Sequence, residues 1–419
     1  MRIIIVGAGI GGLAAALSLE AAGFRDIVVA ERSPELLPLG VGLNLLPHAV
    51  RELTELGVAE RIAGLGVEPG SLAYYNRHGQ LIWSEPRGRD AGYEWPQLSV
   101  HRGRLQLLLR DLVNERLGDV IRLGHRLVTV DGTQDGAKQS TAHFVLPDGS
   151  STALTGDVII GADGIRSAMR AQFAPTEGDP VWSGLTLWRG TAVMPPFLDG
   201  RSMIMVGDGE QKFVAYPLGR TADGSTRVNF IAEQRGTGVA DADWNRSVSR
   251  EPIAALFSGW AYDWLDIPAI IEAAEELLEY PMVDRDPLPS WVHGRAVLLG
   301  DAAHAMYPNG SNGGSQAILD ARTLAYHLAS AASIDDALAA YDADRRPATA
   351  ALLALTRQTG PERVMQIARD RAPEGFADVH DVISEEELQR IALEYKQAAG
   401  FDPSRLNARS TLSVGRTRA

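Results

Sequence analysis

Three features of the sequence predict an α/β fold with an antiparallel β-sheet inserted into it and a helical segment at its C-terminal end. The chain opens strand–turn–helix–strand in MRIIIVGAGIGGLAAALSLEAAGFRDIVVAER. Apolar strand, glycine turn and helix return in GDVIIGADGIRSAMR and again in GRAVLLGDAAHAMYPNGSNGGSQAILDARTLAYHL. Between these last two lie short, loosely alternating segments: LTLWRGTAVM, SMIMVGDG, KFVAYPL and TRVNFIAE. Turns such as GDGEQ and GRTADGSTR separate them, as expected of antiparallel strands.

Each element has a local reason. IIIV is a buried strand, LAAALSLEAAG a helix that stops at Gly23, and DIVVAER the next strand. GVGLNLLP carries two glycines suited to a close approach of backbone to ligand, and HAVRELTELGVAERIAGLG after it reads as helical. HRGRLQLLLRDLVNERLG is amphipathic, with Leu105, Leu108, Leu109 and Leu112 on one face. RLVTVDG and AHFVLPDGS add strands, and a Trp-rich helical segment follows the antiparallel stretch. In the tail, Ser384 and Glu387 form a capping box for SEEELQRIALEYKQAAG. The expected division is a discontinuous nucleotide-binding unit (1–73, 100–178 and 285–360), a sheet unit (74–99 and 179–284) and a C-terminal helical segment (361–419).

With 419 residues, 45% hydrophobic and 22% charged, the chain reads as an ordinary globular protein of more than one unit. A net charge of −13 repels phosphate backbones and argues against a nucleic-acid partner. The absence of cysteine excludes disulfides, thiolate catalysis, Cys-ligated zinc and iron–sulfur clusters. Glycines interrupt the opening apolar run, and no stretch of about 18 apolar residues occurs, so neither a signal peptide nor a membrane span is expected. A cytoplasmic enzyme is the default expectation, and oligomeric state is unreadable.

Three motifs point to a ligand. Gly7, Gly9 and Gly12 have the GxGxxG spacing, with Gly11 between them, and Glu31 ends the next strand where an acid accepts a ribose hydroxyl. The amides and dipole at the helix start favour a pyrophosphate. In GRAVLLGDAAHAMYP, Asp301 follows a buried strand, placed to bind the hydroxyls of a flexible polyol. FAD has such a polyol in its ribityl chain, and nicotinamide dinucleotides lack one. The stretch GSNGGSQAILDA then opens a helix with Gly310, Gly313 and Gly314 exposing amides, suited to the negative charge of a reduced flavin. In the third motif Asp163–Gly164 follows a strand, and Arg166 and Arg170 are spaced one helical turn apart.

These motifs, in this order and spacing, resemble the single-component FAD-dependent aromatic hydroxylases of the para-hydroxybenzoate and salicylate hydroxylase class. GVGLNLLPHAVRELTELGV, IWSEPRGRDAGYEWPQLSVHRGRLQ and GDAAHAMYPNGSNGGSQAILDA look like its phenazine-carboxylate hydroxylase branch, which acts on 5-methylphenazine-1-carboxylate. The resemblance covers roughly residues 1–350 and implies a Rossmann-type, GR2-like FAD-binding domain. It implies that Glu31 and Arg32 hold the adenosine ribose and that Val41 and Gly42 lie along the flavin. It also implies that Arg102 reaches the diphosphate or ribityl region, and that Leu127 or Val128 meets adenine through the backbone. Asp301 would bind the ribityl chain, Gly313 and Gly314 the flavin ring, and Asp163 would support both FAD and a transient NADH or NADPH. Ser315 stands where many members have Asn, so no side-chain contact with flavin is assigned there.

The reaction so implied is hydroxylation of a small aromatic or heteroaromatic compound by O2 through a flavin C4a-hydroperoxide, with decarboxylation where the substrate is a carboxylate. The cofactor carries that chemistry, so no catalytic triad is expected and none is readable. Trp188, Phe213 and Tyr216, with Tyr307 and Pro308, are candidates for walling a flat substrate. Arg189 and Arg87 suit a substrate carboxylate, with a solvated salt bridge as the other role open to each. His304 is read as a buried loop-holding residue rather than a catalytic one. A flavin halogenase or reductase on the same fold remains an alternative, although Lys138, Lys212 and Lys396 are the only lysines and none has a halogenase-like context. A non-catalytic flavin-binding redox partner is the third reading.

Overall fold

The computed structural model describes residues 1–236, 246–358, 360–398 and 402–414; parts of the expected sheet and C-terminal units lie outside these stretches. A six-stranded sheet sits at its centre, ordered Val292–His293, Ala296–Leu298, Val158–Gly161, Arg2–Val6, Asp26–Ala30 and Ile121–Arg122. Its strands are parallel except for the Val292–His293 edge. Ile3, Ile4, Ile5, Val158, Ile159 and Ile160 are wholly buried, as strands covered on both faces must be, hence the unbroken apolar runs. The helices Ile10–Ala21 and Gly313–Ser330 pack against one another, and Arg102–Leu117 packs against the first of them. All three motifs follow strands of this sheet, at their C-terminal ends, where ligands of open α/β sheets bind.

The antiparallel stretch forms a second sheet of eight strands. Its order is Arg246–Ser247, Leu277–Asp284, Val181–Met194, Thr226–Arg235, Gln211–Arg220, Ser202–Gly207, Ser71–Tyr75 and Leu81–Pro86. One part of 74–99 stays outside it: Leu98–His101 pairs with Gly42–Leu45 and Gly66–Val67 in a separate three-stranded sheet. Successive side chains of a strand point to opposite faces, so the register sorts the residues. Met205, Val214, Ile231 and Arg189 oppose one another across four strands and form a row on one face. Val206, Phe213, Ala232 and Trp188 form the neighbouring row on the other.

The second row is covered by the helices Arg250–Leu256 and Ile267–Glu272, with Phe257 and Trp260 packed into the same core. The first row faces the parallel sheet and the C-terminal helices Arg363–Arg371 and Glu385–Ala398. Only half of the expected capping box forms: the Glu387 amide donates to Ser384 Oγ at 3.2 Å, but the Glu387 carboxylate accepts from Arg371 instead of the Ser384 amide. Among the described residues no helix is long and apolar enough to cross a membrane.

Candidate active site

The glycines of the first turn have separate duties. Gly7 has φ +108°, a left-handed conformation, and a Cβ there would overlap the Ala162 carbonyl. At Gly12 a Cβ would overlap the Gly7 carbonyl oxygen, so bare backbone is what lets the helix close on the strand. At Gly9 a Cβ would meet nothing within 4 Å. No protein atom requires a glycine there; a ligand lying against the turn would.

Glu31 braces this turn. One carboxylate oxygen accepts from the Ala8 amide and the other from the Ser33 amide, each at 2.8 Å, while the residue also lines the groove beside it. That groove, about 510 Å³, is lined by Gly7, Gly9, Glu31, Arg32, Leu127 and Asp163 among others. Val128 is 49% exposed and lies outside the lining, because strand alternation turns it away from Leu127; of this pair only Leu127 reaches the groove. Asp163 Oδ2 accepts from the Ala168 amide at 2.8 Å, whereas the buried Oδ1 has no partner among the described residues. Burial pushes its carboxyl up, against hydrogen bonds that pull it down. Arg166 lines the groove, but Arg170 is buried against Glu177 and the Ala302 and Ala303 carbonyls, so the two arginines do not act together.

A second cavity of about 320 Å³ continues from the first, with Gly9, Arg102, Ala162 and Gly164 lining both. Gly42, Asp301, Pro308, Gly313 and Gly314 line it on the parallel-sheet side. Val41 does not; its carbonyl holds the Arg102 amide at 2.8 Å, so it positions the groove indirectly. Ser315 Oγ accepts from the Leu46 amide at 3.0 Å, a structural duty that accounts for a hydroxyl there. Asn312 donates to the Tyr395 hydroxyl at 2.6 Å, so a helix near the C-terminal end braces the loop at this cavity. The connected groove fits FAD. It has room for a long ligand, amides and an open glycine for the diphosphate, and carboxylates at Glu31, Asp163 and Asp301 for hydroxyl groups.

Across from these residues the cavity is floored by the antiparallel sheet, through Arg189, Met203, Met205, Val214, Tyr216, Ile231 and Glu233. Tyr216 is thus where a substrate wall is expected; burial pushes its hydroxyl up to about 12, with Arg189 opposing. Trp188 and Phe213 are not. Both point to the opposite face, into the core under the helices, with Trp188 Nε1 bonded to Glu279 at 2.9 Å. Phe213 and Tyr216 are an odd number of residues apart on one strand, so they cannot share a face. Tyr307 lines a neighbouring cavity, its hydroxyl 3.4 Å from the Val181 carbonyl, leaving Pro308 alone of that pair in the chamber. Met203, Met205, Val214 and Ile231 were missed, although their parity with Tyr216 along the strands is a usable signal. Phe213→Ala should therefore cost about 3–5 kcal/mol of stability and leave KM for an aromatic acid unchanged. Met205→Trp should raise that KM at least about tenfold in a stable protein, both read by steady-state kinetics and thermal melts.

Arg189 donates to the Gly42 carbonyl at 3.1 Å and lies over the Tyr280 ring at 6.0 Å, with no carboxylate within 4.0 Å among the described residues. Arg87 instead pairs with buried Glu85 at 3.0 Å, away from the groove, and is neither a groove residue nor a solvated one. His304 is buried, 2.5 Å from Asp320, which also accepts from the Gly300 amide and Arg345. This places His304 among the bonds that fix the Gly300–Asp301 turn.

A family model described as FAD binding domain matches residues 1–189 and 279–356, and the gap between them falls within the inserted sheet. The chain is 41% identical over 362 residues to the phenazine 1,6-dicarboxylic acid hydroxylase PhzS of Lysobacter antibioticus, covering 85% of this chain and 89% of that one. It is 31% identical over 402 residues to a salicylate hydroxylase of Pseudomonas putida, covering 86% and 85%. In fold it is similar to Klebsiella pneumoniae HpxO complexed with FAD and uric acid, at a TM-score of 0.72 and 24% identity over 97% of this chain and 95% of that one. Matching family and relatives along most of its length, and shaped to hold the cofactor they share, this chain belongs to the FAD-dependent aromatic hydroxylases, monooxygenases that consume NAD(P)H and O2.

Proposed function

We propose that the substrate is a planar aromatic or heteroaromatic acid, held on the antiparallel sheet with its acidic group toward Arg189. The observation that carries this reading is a guanidinium with no carboxylate in ion-pair contact among the described residues, set in the chamber beside the apolar side chains of Met205, Val214 and Ile231. Arg presents a fork matched to a carboxylate. Relatives named for phenazine 1,6-dicarboxylic acid, 6-hydroxynicotinate and salicylate act on acids of this kind.

FAD, when bound, takes two electrons from NADH or NADPH and activates O2 to insert one oxygen atom into the ring. The chain's own residues position and shield. Glu31 and Arg32 would hold the adenosine ribose, with Leu127 beside the adenine. The amides at Gly9 and Gly11, with Arg102, would hold the diphosphate. Asp301 would take the ribityl hydroxyls, and Gly313 and Gly314 the ring's pyrimidine edge. Asp163, which lines the same groove, would serve FAD and the nicotinamide cofactor alike. Met203, Met205, Val214 and Ile231 exclude water from the reacting ring. The net charge of −13 supports a small-molecule role rather than one on nucleic acid.

The test is NADH and NADPH oxidation by the purified yellow protein, with and without a panel of aromatic acids, followed by mass spectrometry. Substrate-stimulated turnover and a product gaining one oxygen (with or without loss of CO2) are expected; oxidation indifferent to every acid would overturn the reading. Arg189→Met should raise KM for the accepted acid about 10–100-fold, the span of one charge-assisted hydrogen bond, with a smaller change in kcat.

A further inference from the structure

The chamber floor has a second polar end. Asn229 and Glu233 lie four residues apart on one strand, hence about 13 Å, with Tyr216 opposite the first and Lys212 opposite the second. Near Asn229 stands Arg189. At the far end Lys212 Nζ lies 3.0 Å from Glu233 and also pairs with Glu362, which comes from the short turn Gly360–Glu362. All three are buried, and both glutamates line the chamber.

Two carboxylates share one ammonium beside Met203, Met205, Val214 and Ile231, and the next cation bearing on Glu233 is Arg189. Buried carboxylates are costly unless their oxygens are satisfied. Burial pushes the Glu233 carboxyl up, with Lys212 opposing, and a hydrogen-bond donor in the chamber would relieve that strain. This end of the chamber therefore offers hydrogen-bond acceptors.

We propose that Glu233 and Glu362 recognise a hydrogen-bond-donating group of the substrate, a ring hydroxyl, ring N–H or amine, at the end of the chamber away from Arg189. The substrate class so defined is an elongated fused-ring acid with a donor on its far ring. This rests on the reading of the substrate as an aromatic acid bound through Arg189. Glu233 and Glu362 are specificity-determining residues, and Lys212 positions them.

The test compares 6-hydroxyphenazine-1-carboxylate with phenazine-1-carboxylate, titrated into the FAD-loaded enzyme and followed by the flavin absorbance change. Wild-type protein should bind the hydroxylated probe at least about tenfold more tightly, the lower span for a bond to a charged acceptor. Glu233→Gln and Glu362→Gln should each shrink that ratio to about threefold or less, with FAD content and melting temperature as controls. A purely structural role would lower stability and leave the ratio alone. Equal binding of the two probes by wild-type protein overturns the proposal whether or not the variants fold, and so does a ratio preserved in both variants. If aromatic acids bind and stimulate turnover but the hydroxyl makes no difference, only this inference fails; if no acid binds, it falls together with the reading beneath it.

Discussion

Gly12→Ala is expected to yield a colourless, poorly folding protein, and Gly9→Ala a well-folded one that has lost most of its affinity for FAD. The two positions lie three residues apart in one turn, yet their surroundings differ. A methyl at Gly12 would overlap the Gly7 carbonyl and press on Ala162, in the seam where helix Ile10–Ala21 meets the central sheet. Backbone cannot yield there as a flexible side chain would. A methyl at Gly9 meets no protein atom within 4 Å, and the backbone there has φ −72°, which alanine adopts freely. The FAD-free Gly9→Ala protein should melt with the wild type, while its Kd for FAD rises about 10–100-fold, the effect of about 1–3 kcal/mol of overpacking against a ligand. Flavin-fluorescence titration and circular dichroism melts check both. FAD affinity unchanged in Gly9→Ala would show that the cofactor does not lie on this turn.

Asp320→Ala is expected to destabilise the protein by about 3–5 kcal/mol, because it leaves Arg345 and His304 buried without their carboxylate. It also releases the Gly300 amide, held at 3.0 Å, and with it the turn that presents Asp301 to the groove. Burial alone would raise the Asp320 carboxyl; His304 and Arg345 outweigh it and bring it down to about 2 from an ordinary 3.8. A group depressed on folding stabilises the folded state above its unfolded pKa, and that contribution fades as pH falls toward the folded one. Asp320 should therefore contribute about 2 kcal/mol at neutral pH, lost between about pH 4 and pH 2. Denaturant melts across that range should be less steep in pH for Asp320→Asn than for wild type. An identical slope would show that Asp320 is not the group titrating.

The middle of the central sheet was legible because Arg2–Val6, Val158–Gly161 and Ala296–Leu298 are apolar runs that lead into glycine turns; the two-residue strands Ile121–Arg122 and Val292–His293 have no such pattern. The residues that line the long groove were legible because turn chemistry fixes where their backbone and carboxylate groups lie. Gly9, Glu31, Asp163 and Asp301 all lie along it, with sequence positions up to 301. The substrate wall was legible only in part. Which face of an inserted strand looks into the chamber depends on register, and a one-residue difference in parity turned Trp188 and Phe213 into the helix-covered core. Tyr216 lies on the face toward the chamber; Glu233 and Lys212 are brought together only by cross-strand pairing, and Glu362 arrives from far along the chain. Partner selection of that kind has no local signature.

The order of strands in the central sheet has a consequence for how the enzyme is made. Arg2–Val6 pairs with Val158–Gly161, and that strand with Ala296–Leu298. At roughly 5–20 residues per second of synthesis, the strand Val158–Gly161 waits on the order of 7–27 s for Ala296–Leu298 to be translated. Tyr395, which braces the loop at the ring end of the groove, comes later still. Nascent chains thus carry an unpaired apolar strand edge through most of translation, and cofactor capture is an event of the finished polypeptide. Slower, cooler expression with abundant chaperone is the production regime this topology favours.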